Sequence, residues 1–382
     1  MHIKVGKLKT GKLLLVVTLL FVICLVSLSC IEGLRPIGWS GGVVSDGRLF
    51  VGSKEGKLVT VDVIDQGRQW SEPIRTAPTG GLSCLPTAGA GCDAATPGMA
   101  IYGTPVISGG LAYIGGYNGK MYAFNSDSLA VRWVYPREDY LAPIVGGPVV
   151  AQNKVIFGNT DGKVYALNAD TGDPEWEFET GDKIWATPAV VDNILYIGSF
   201  DGKLYALNTA DGSTKWEFET EGAIAATPLV DGNTVYIGSF DRHIYAINAD
   251  SGKLKWKFMA ENWFWAKPIV LDNTIYAGSL DSKFYVLNAG NGNKVAEFNL
   301  DSPISAAPVV SGNTIIIASQ EGLVYSLDIT SQELKQIADI EEKVYGPLYA
   351  HDGIVYIHTQ DLTLHRINAE TGAILMFISL KQ

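Results

Sequence analysis

From residue 42 onward the chain is built of short runs in which apolar and polar positions alternate with period two, and no window sustains a period of 3.6. Val235-Tyr236-Ile237-Gly238 is one such run and Ile244-Tyr245-Ala246-Ile247 the next, after a tight turn. A third alternates Trp256 and Phe258 with Lys255 and Lys257. The set recurs about every 40 residues, with Pro148, Pro188, Pro228, Pro268, Pro308 and Pro347 marking the repeat. Each unit opens on a short proline-led strand such as 228–230 and closes on G-x-x-x-W, as at Gly212 and Trp216. Four short strands per unit at this period predict an all-β chain, a β-propeller of four-stranded antiparallel blades. Counting units gives eight blades over 38–382. The first starts at Gly42 without the proline, and a Pro/Gly/Ala/Thr-rich loop is inserted at about 71–100.

The turn between the second and third strands carries Asp161-Gly162, Asp201-Gly202 or Asn118-Gly119. Read as two-residue hairpins, these turns place Gly198 opposite Tyr205, and likewise a tyrosine over a glycine in the sister units. In the eighth unit the same positions hold His358 and His365. They are therefore expected to face each other, as a stacked or hydrogen-bonded pair or as a weak two-ligand metal candidate. No third ligand is visible.

The amino terminus changes the picture of where the protein works. His2, Lys4, Lys7, Lys9 and Lys12 precede an apolar run over 13–28 that ends at Ser29-Cys30. Residues 1–29 read as an export signal, 30–37 as a linker. A lipoprotein signal with Cys30 as the acylated residue is the leading reading. An uncleaved single N-terminal membrane span and plain secretion are the alternatives, and the run is short for a span. Loss of 1–29 removes four lysines and no acids, which takes the formal charge from −11 to −15. So acidic a chain repels phosphates, which argues against a nucleic-acid partner. Cys84 and Cys92 remain as a pair within the inserted loop and are expected to close it with a disulfide. C-x-x-C and C-x-x-C-H are absent.

The run Ala166-x-Asn168-x-x-x-Gly172-x-x-x-Trp176 recurs at Ala206, Asn208, Gly212 and Trp216 and at Ala246, Asn248, Gly252 and Trp256. It resembles the tryptophan-docking motif of the PQQ-type β-propeller repeat family, and within it the BamB-type lipoproteins of outer-membrane β-barrel assembly. The resemblance implies that each Trp packs between blades and bonds to the neighbouring backbone. It weakens where Ala296, Gln336 and Met376 replace the Trp, and where Leu129 replaces the Gly. It also raises a quinoprotein oxidoreductase as an alternative. Such enzymes carry a ring of adjacent cysteines and a calcium site, and neither adjacent cysteines nor a D-x-D-x-D-G loop occurs here. No cofactor is expected.

Function has to be argued from sites rather than fold. In the loop leading into each first strand, three residues before the proline in the regular units, the ring reads Trp39, Tyr102, Val145, Trp185, Ala225, Trp265, Ser305, Tyr345. Five of the eight are aromatic, and Trp263 adjoins them. This position faces the mouth of the central channel. The rings either form a binding surface or plug a wide channel. Lys267 brings a positive charge there, in a place where most units have Thr or Gly. No Ser-His-Asp set, H-E-x-x-H or phosphate loop stands out. The expected function is non-catalytic: an extracytoplasmic, lipid-anchored scaffold, monomeric by itself, that binds envelope or surface proteins. A PQQ-dependent oxidoreductase and a small-ligand sensor using the channel are the alternatives.

Overall fold

The computed structural model describes residues 40–53, 55–63, 67–71, 74 and 100–380. Cys30, Trp39, Cys84, Cys92, the signal segment and most of the inserted loop lie outside them. The described residues form eight four-stranded antiparallel sheets and no helix. The blades span 42–70, 106–135, 149–179, 189–219, 229–259, 269–299, 309–339 and 349–379. Within each, the four strands pair in chain order, so each sheet is a simple meander.

The burial of each strand follows from its place in the stack. In blade four the second strand, Ile194–Gly198, is buried at every position. In the third, Lys203–Asn208, only the two ends emerge. Both faces of these strands meet a neighbouring blade, so they carry continuous apolar runs. The outer strand, Thr214–Glu219, buries Trp216 and exposes Lys215, Glu217 and Glu219. Lys203 pairs with Glu217 at 2.9 Å, and Lys163 with Glu177 at 3.4 Å in blade three. These charges line the disc's outer edges and discourage further strand pairing.

The register differs from the two-residue-hairpin expectation by one position. Tyr205 pairs with Ile197, and Gly198 pairs with Leu204. The connection is a three-residue loop of Phe200, Asp201 and Gly202, closed by Ser199 N–H donating to Lys203 O at 3.0 Å. Only Gly202 has a left-handed φ, +83°, and Asp201 does not. This is the type I turn with a following left-handed glycine rather than the primed two-residue turn. The tyrosines therefore do not cover the glycines. A Cβ at Gly198 would run into Ile224 of the next blade, and one at Gly158 into Ile184. The glycine makes room for the neighbouring blade's entering loop. Tyr205 is nonetheless structural: it is 4% exposed, and its hydroxyl donates to Asp201 at 2.6 Å.

The same shift separates the two histidines. His365 pairs with Ile357, and His358 with Leu364. Neighbouring strand positions alternate in direction, so the two imidazoles point to opposite faces of blade eight. Among the described residues no cluster of potential metal ligands occurs. The expectation of a facing pair, and with it the metal candidate, is overturned.

The docking tryptophans do what the motif implies. Trp133, Trp176, Trp216 and Trp256 each donate an indole N–H to a carbonyl of the next blade: Ala169, Thr209, Ala249 and Ala289, at 2.8–3.0 Å. Each ring lies flat against the next blade's Gly172, Gly212, Gly252 or Gly292, where a Cβ would collide with it.

Candidate functional site

The loop into each inner strand alternates like a strand. In blade four Ile184 and Ala186 are buried between blades, whereas Trp185 and Thr187 turn the other way and are half-buried. Blade six repeats this with Phe264 and Ala266 inward and Trp265 toward the axis. The repeat thus delivers one side chain per blade to a common centre. Tyr102, Val145, Trp185, Ala225, Trp265, Ser305 and Tyr345 all line a single cavity of about 390 Å³. Every ring position expected from the sequence is there except Trp39, which lies outside the described residues. Pro347 comes one residue early in its unit, yet Tyr345 keeps the ring position because the strand Tyr349–His351 starts in phase with the others.

The rings on the side of blades four to six form a connected cluster. Trp185 and Trp265 lie 6.1 Å apart between centroids. Trp185 meets Phe200 edge-on at 4.7 Å, and Phe200 meets Phe240 at 5.6 Å. Phe240 stacks on Trp265 at 5.3 Å and on Trp263 at 4.4 Å. Lys183 sits over Phe200, 4.5 Å from its centroid, a cation–π contact. Trp263 is 41% exposed and is the outermost member. Across the cavity Tyr102 packs on Tyr117 at 5.4 Å.

Phe200, Phe240 and Tyr117 were not foreseen. They sit one before the Asp-Gly position of the second hairpin, where the other five units hold Lys54, Thr160, Leu280, Gln320 and Gln360. An aromatic in an otherwise polar turn was the available signal. The turn reaches the mouth because its first N–H donates to the preceding loop, as Phe240 N–H does to Ala223 O at 2.9 Å.

Lys267 also lines the cavity. Its side chain stays open to the channel space, but protein surrounds it, and this desolvation lowers its pKa from the ordinary lysine value. No Asp or Glu is among the described lining residues. The described lining is a poor match for a quinone with three carboxylates and a calcium ion: among the described residues one cation faces the cavity, and no carboxylate there could hold the metal.

An eight-bladed propeller of tryptophan-docked repeats, with aromatic side chains gathered at one channel mouth, is an architecture of the PQQ-repeat class. Comparison with known families then makes the assignment specific. The chain belongs to the family described as outer membrane protein assembly factor BamB, whose model matches residues 34–183 and 161–376. Among solved structures, it is similar to BamB from Moraxella catarrhalis, with 20% identity, a TM-score of 0.65 and coverage of 84% of this chain and 91% of that one. It is equally similar in fold to the computationally designed Ika8 protein, with 18% identity, a TM-score of 0.68 and coverage of 86% and 95%. No curated protein matches the chain.

Proposed function

We propose that this protein is a non-catalytic scaffold of the cell envelope that binds other envelope proteins during outer-membrane protein assembly. The observation that carries the reading is the aromatic cluster at the mouth, with Trp263 at its exposed edge. Exposed tryptophans backed by packed rings are favoured anchors of protein interfaces, because the support costs no further ordering on binding. Membership of the BamB family supplies the setting. The acidic surface fits a protein that does not engage nucleic acid. Cys30 would tether the scaffold to a membrane. In that case Cys30→Ser should abolish labelling by radioactive palmitate, and equal labelling of both forms would remove the anchor.

The test of the scaffold reading is cross-linking capture of β-barrel assembly components from envelope extracts. Trp263→Ala should reduce capture at least fivefold with the melting temperature within about 2 °C of wild type, since exposed side chains contribute little to folding. Glu177→Gln, on the outer edge of blade three, should capture as wild type does. Equal capture of the same proteins by wild type and Trp263→Ala would overturn the assignment of this face.

A further inference from the structure

We propose that the channel cavity is a binding site for a small carboxylate with an aromatic or apolar body, held by Lys267, Trp185 and Ser305. The site adjoins the surface assigned to protein capture and shares Trp185 and Trp265 with its aromatic cluster, but Trp263, the residue that tests capture, does not line it, so the two readings can fail separately.

Charge is the first argument. Among the described residues that line this cavity there is no Asp or Glu. Among the described lining residues the single charged group is that of Lys267, which has no ion-pair partner among the described residues. The Lys267 side chain is open to the channel space, and its charge faces that space without a counter-ion among the described residues. An anion entering the cavity gains an opposite charge beside aromatic walls, whereas a cation is repelled and a neutral molecule gains no such pairing.

The second argument is the neutral donors. Ser305 is 8% exposed, and its Oγ has no partner in the protein. Trp185 Nε1 is likewise buried without an acceptor. Elsewhere in the molecule four indole N–H groups find a carbonyl across a blade boundary. Trp185 Nε1 does not, and its side chain lines the cavity instead. A buried donor without an acceptor costs about 1–3 kcal/mol. Blades four and seven thus each carry a buried donor without an acceptor in a side chain that lines the cavity, blade six adds the ammonium, and no Asp or Glu stands among the described lining residues. A carboxylate is acceptor-only and can take several donors at once.

The third argument is shape and wall. A cavity of about 390 Å³ lies in the range of small-molecule sites. Tyr102, Trp265, Tyr345 and Val145 give it aromatic and apolar walls. One lysine suits a single negative charge, and the walls suit a flat or apolar body. The same chemistry has two sources: a free aromatic acid, or the last residue of a partner chain with its terminal carboxylate.

Isothermal titration of the full chain separates these sources. Indole-3-acetate stands for the free acid and Gly-Gly-Phe for the chain end, each paired with its amide. At least one acid should bind saturably at one per chain, and its amide at least tenfold more weakly. Tighter binding of the tripeptide assigns the site to chain ends; tighter binding of indole-3-acetate assigns it to small acids. Lys267→Met should weaken the acid at least tenfold and leave the amide unchanged, and Ser305→Ala should weaken the acid severalfold. The melting temperature of Lys267→Met should stay within about 2 °C of wild type, since the side chain is exposed, so lost binding cannot be ascribed to unfolding. Glu177→Gln should bind as wild type. No saturable binding of either acid at millimolar concentration, equal affinity for acid and amide, or unchanged affinity in Lys267→Met would each overturn the proposal.

Discussion

Replacing Trp216 by alanine tests the inter-blade docking on which the whole disc depends. Trp216 is 9% exposed, packs beside Tyr196 at 5.7 Å, and lies between blades four and five in a cluster with Val235, Ile237 and Ile247. An indole buries on the order of 200 Å². At about 25 cal/mol per Å² this is worth ~5 kcal/mol. Partial collapse of the cavity brings the expected loss to about 3–5 kcal/mol. The lost hydrogen bond adds little, because Ala249 O also accepts from Tyr196 Oη at 3.4 Å and is not orphaned. At roughly 2.1 cal/mol/K per residue over ~350 residues, the melting temperature should fall by about 4–7 °C.

The molecule contains its own control for this change. Blade six has Ala296 in the tryptophan's place, and blade seven has Gln332 where Gly252 stands in blade five. Gln332 adopts φ +56° and donates Nε2–H to Ile329 O at 2.8 Å and to Tyr276 Oη at 3.3 Å. Ile329 and Tyr276 are the counterparts of Ala249 and Tyr196, so the amide serves the groups that the indole serves elsewhere. Adding Gly252→Gln to Trp216→Ala should therefore recover about 1–2 kcal/mol, read as a partial return of the melting temperature. Differential scanning calorimetry of the three proteins is the assay. A single mutant melting within 1 °C of wild type would refute docking, and a double mutant less stable than the single would refute the equivalence.

Two further outcomes are expected. His358 and His365 are buried, and desolvation lowers the pKa of each below the ordinary histidine value, so the unfolded chain binds more protons in mild acid. Stability should be full above about pH 6.5 and fall as pH drops through that value, by at most ~1.4 kcal/mol per pH unit per histidine. His365→Tyr, which restores the residue of the sister blades, should flatten the loss in melting curves taken from pH 7 to 5; an unchanged slope would contradict this. Gly198→Ala places a Cβ against Ile224 Cγ2 well inside van der Waals contact. It should cost about 1–3 kcal/mol by thermal melting, and a stability equal to wild type would show that the blades separate freely there.

Much of this architecture was legible because the repeat fixes phase. Once the prolines and docking tryptophans are aligned, blade number, strand order and the ring of channel residues follow. Even Tyr345 is placed correctly, although Pro347 breaks step. The errors came from one local ambiguity. Asp-Gly serves both a two-residue turn and a three-residue turn with a left-handed glycine, and nothing inside the hairpin distinguishes them. That single step misaligned the tyrosines with the glycines and wrongly faced His358 with His365. What Gly198 accommodates is Ile224, in another blade and 26 positions along the chain, and strand-by-strand pairing cannot reveal it. Phe200 and Phe240 were missed for a related reason: they reach the mouth through the second hairpin, whereas only the loop entering each first strand was read as facing the channel.

The units that lack the docking tryptophan show which part of the motif matters. The residue just past the third strand offers a carbonyl to the neighbouring blade, and in four blades an indole takes it. In blade seven Gln332 takes the corresponding oxygen of Ile329. At the junction of blades eight and one, Met376 stands in the tryptophan's place, and Arg366 Nη2 donates to Val63 O at 3.1 Å. Val63 follows Asp62, which pairs with Arg48 as Asn168 pairs with Lys154, so it is the counterpart of Ala169. The constant is the acceptor, and the donor is whatever the local sequence supplies. This matters most at the last junction. Every sheet there is made from consecutive strands, so no shared strand ties the ends of the ring among the described residues. Closure rests on Leu49, Val51, Leu364 and Ile378 packing together, on Arg68 donating to Ser379 O, and on His358 Nδ1 donating to Ser40 O at 3.0 Å. A buried neutral imidazole therefore helps hold the junction that has neither a docking tryptophan nor a shared strand. Protonation would set a charge into that seam, so acid should loosen the ring there before it melts the tryptophan-docked blades three to five.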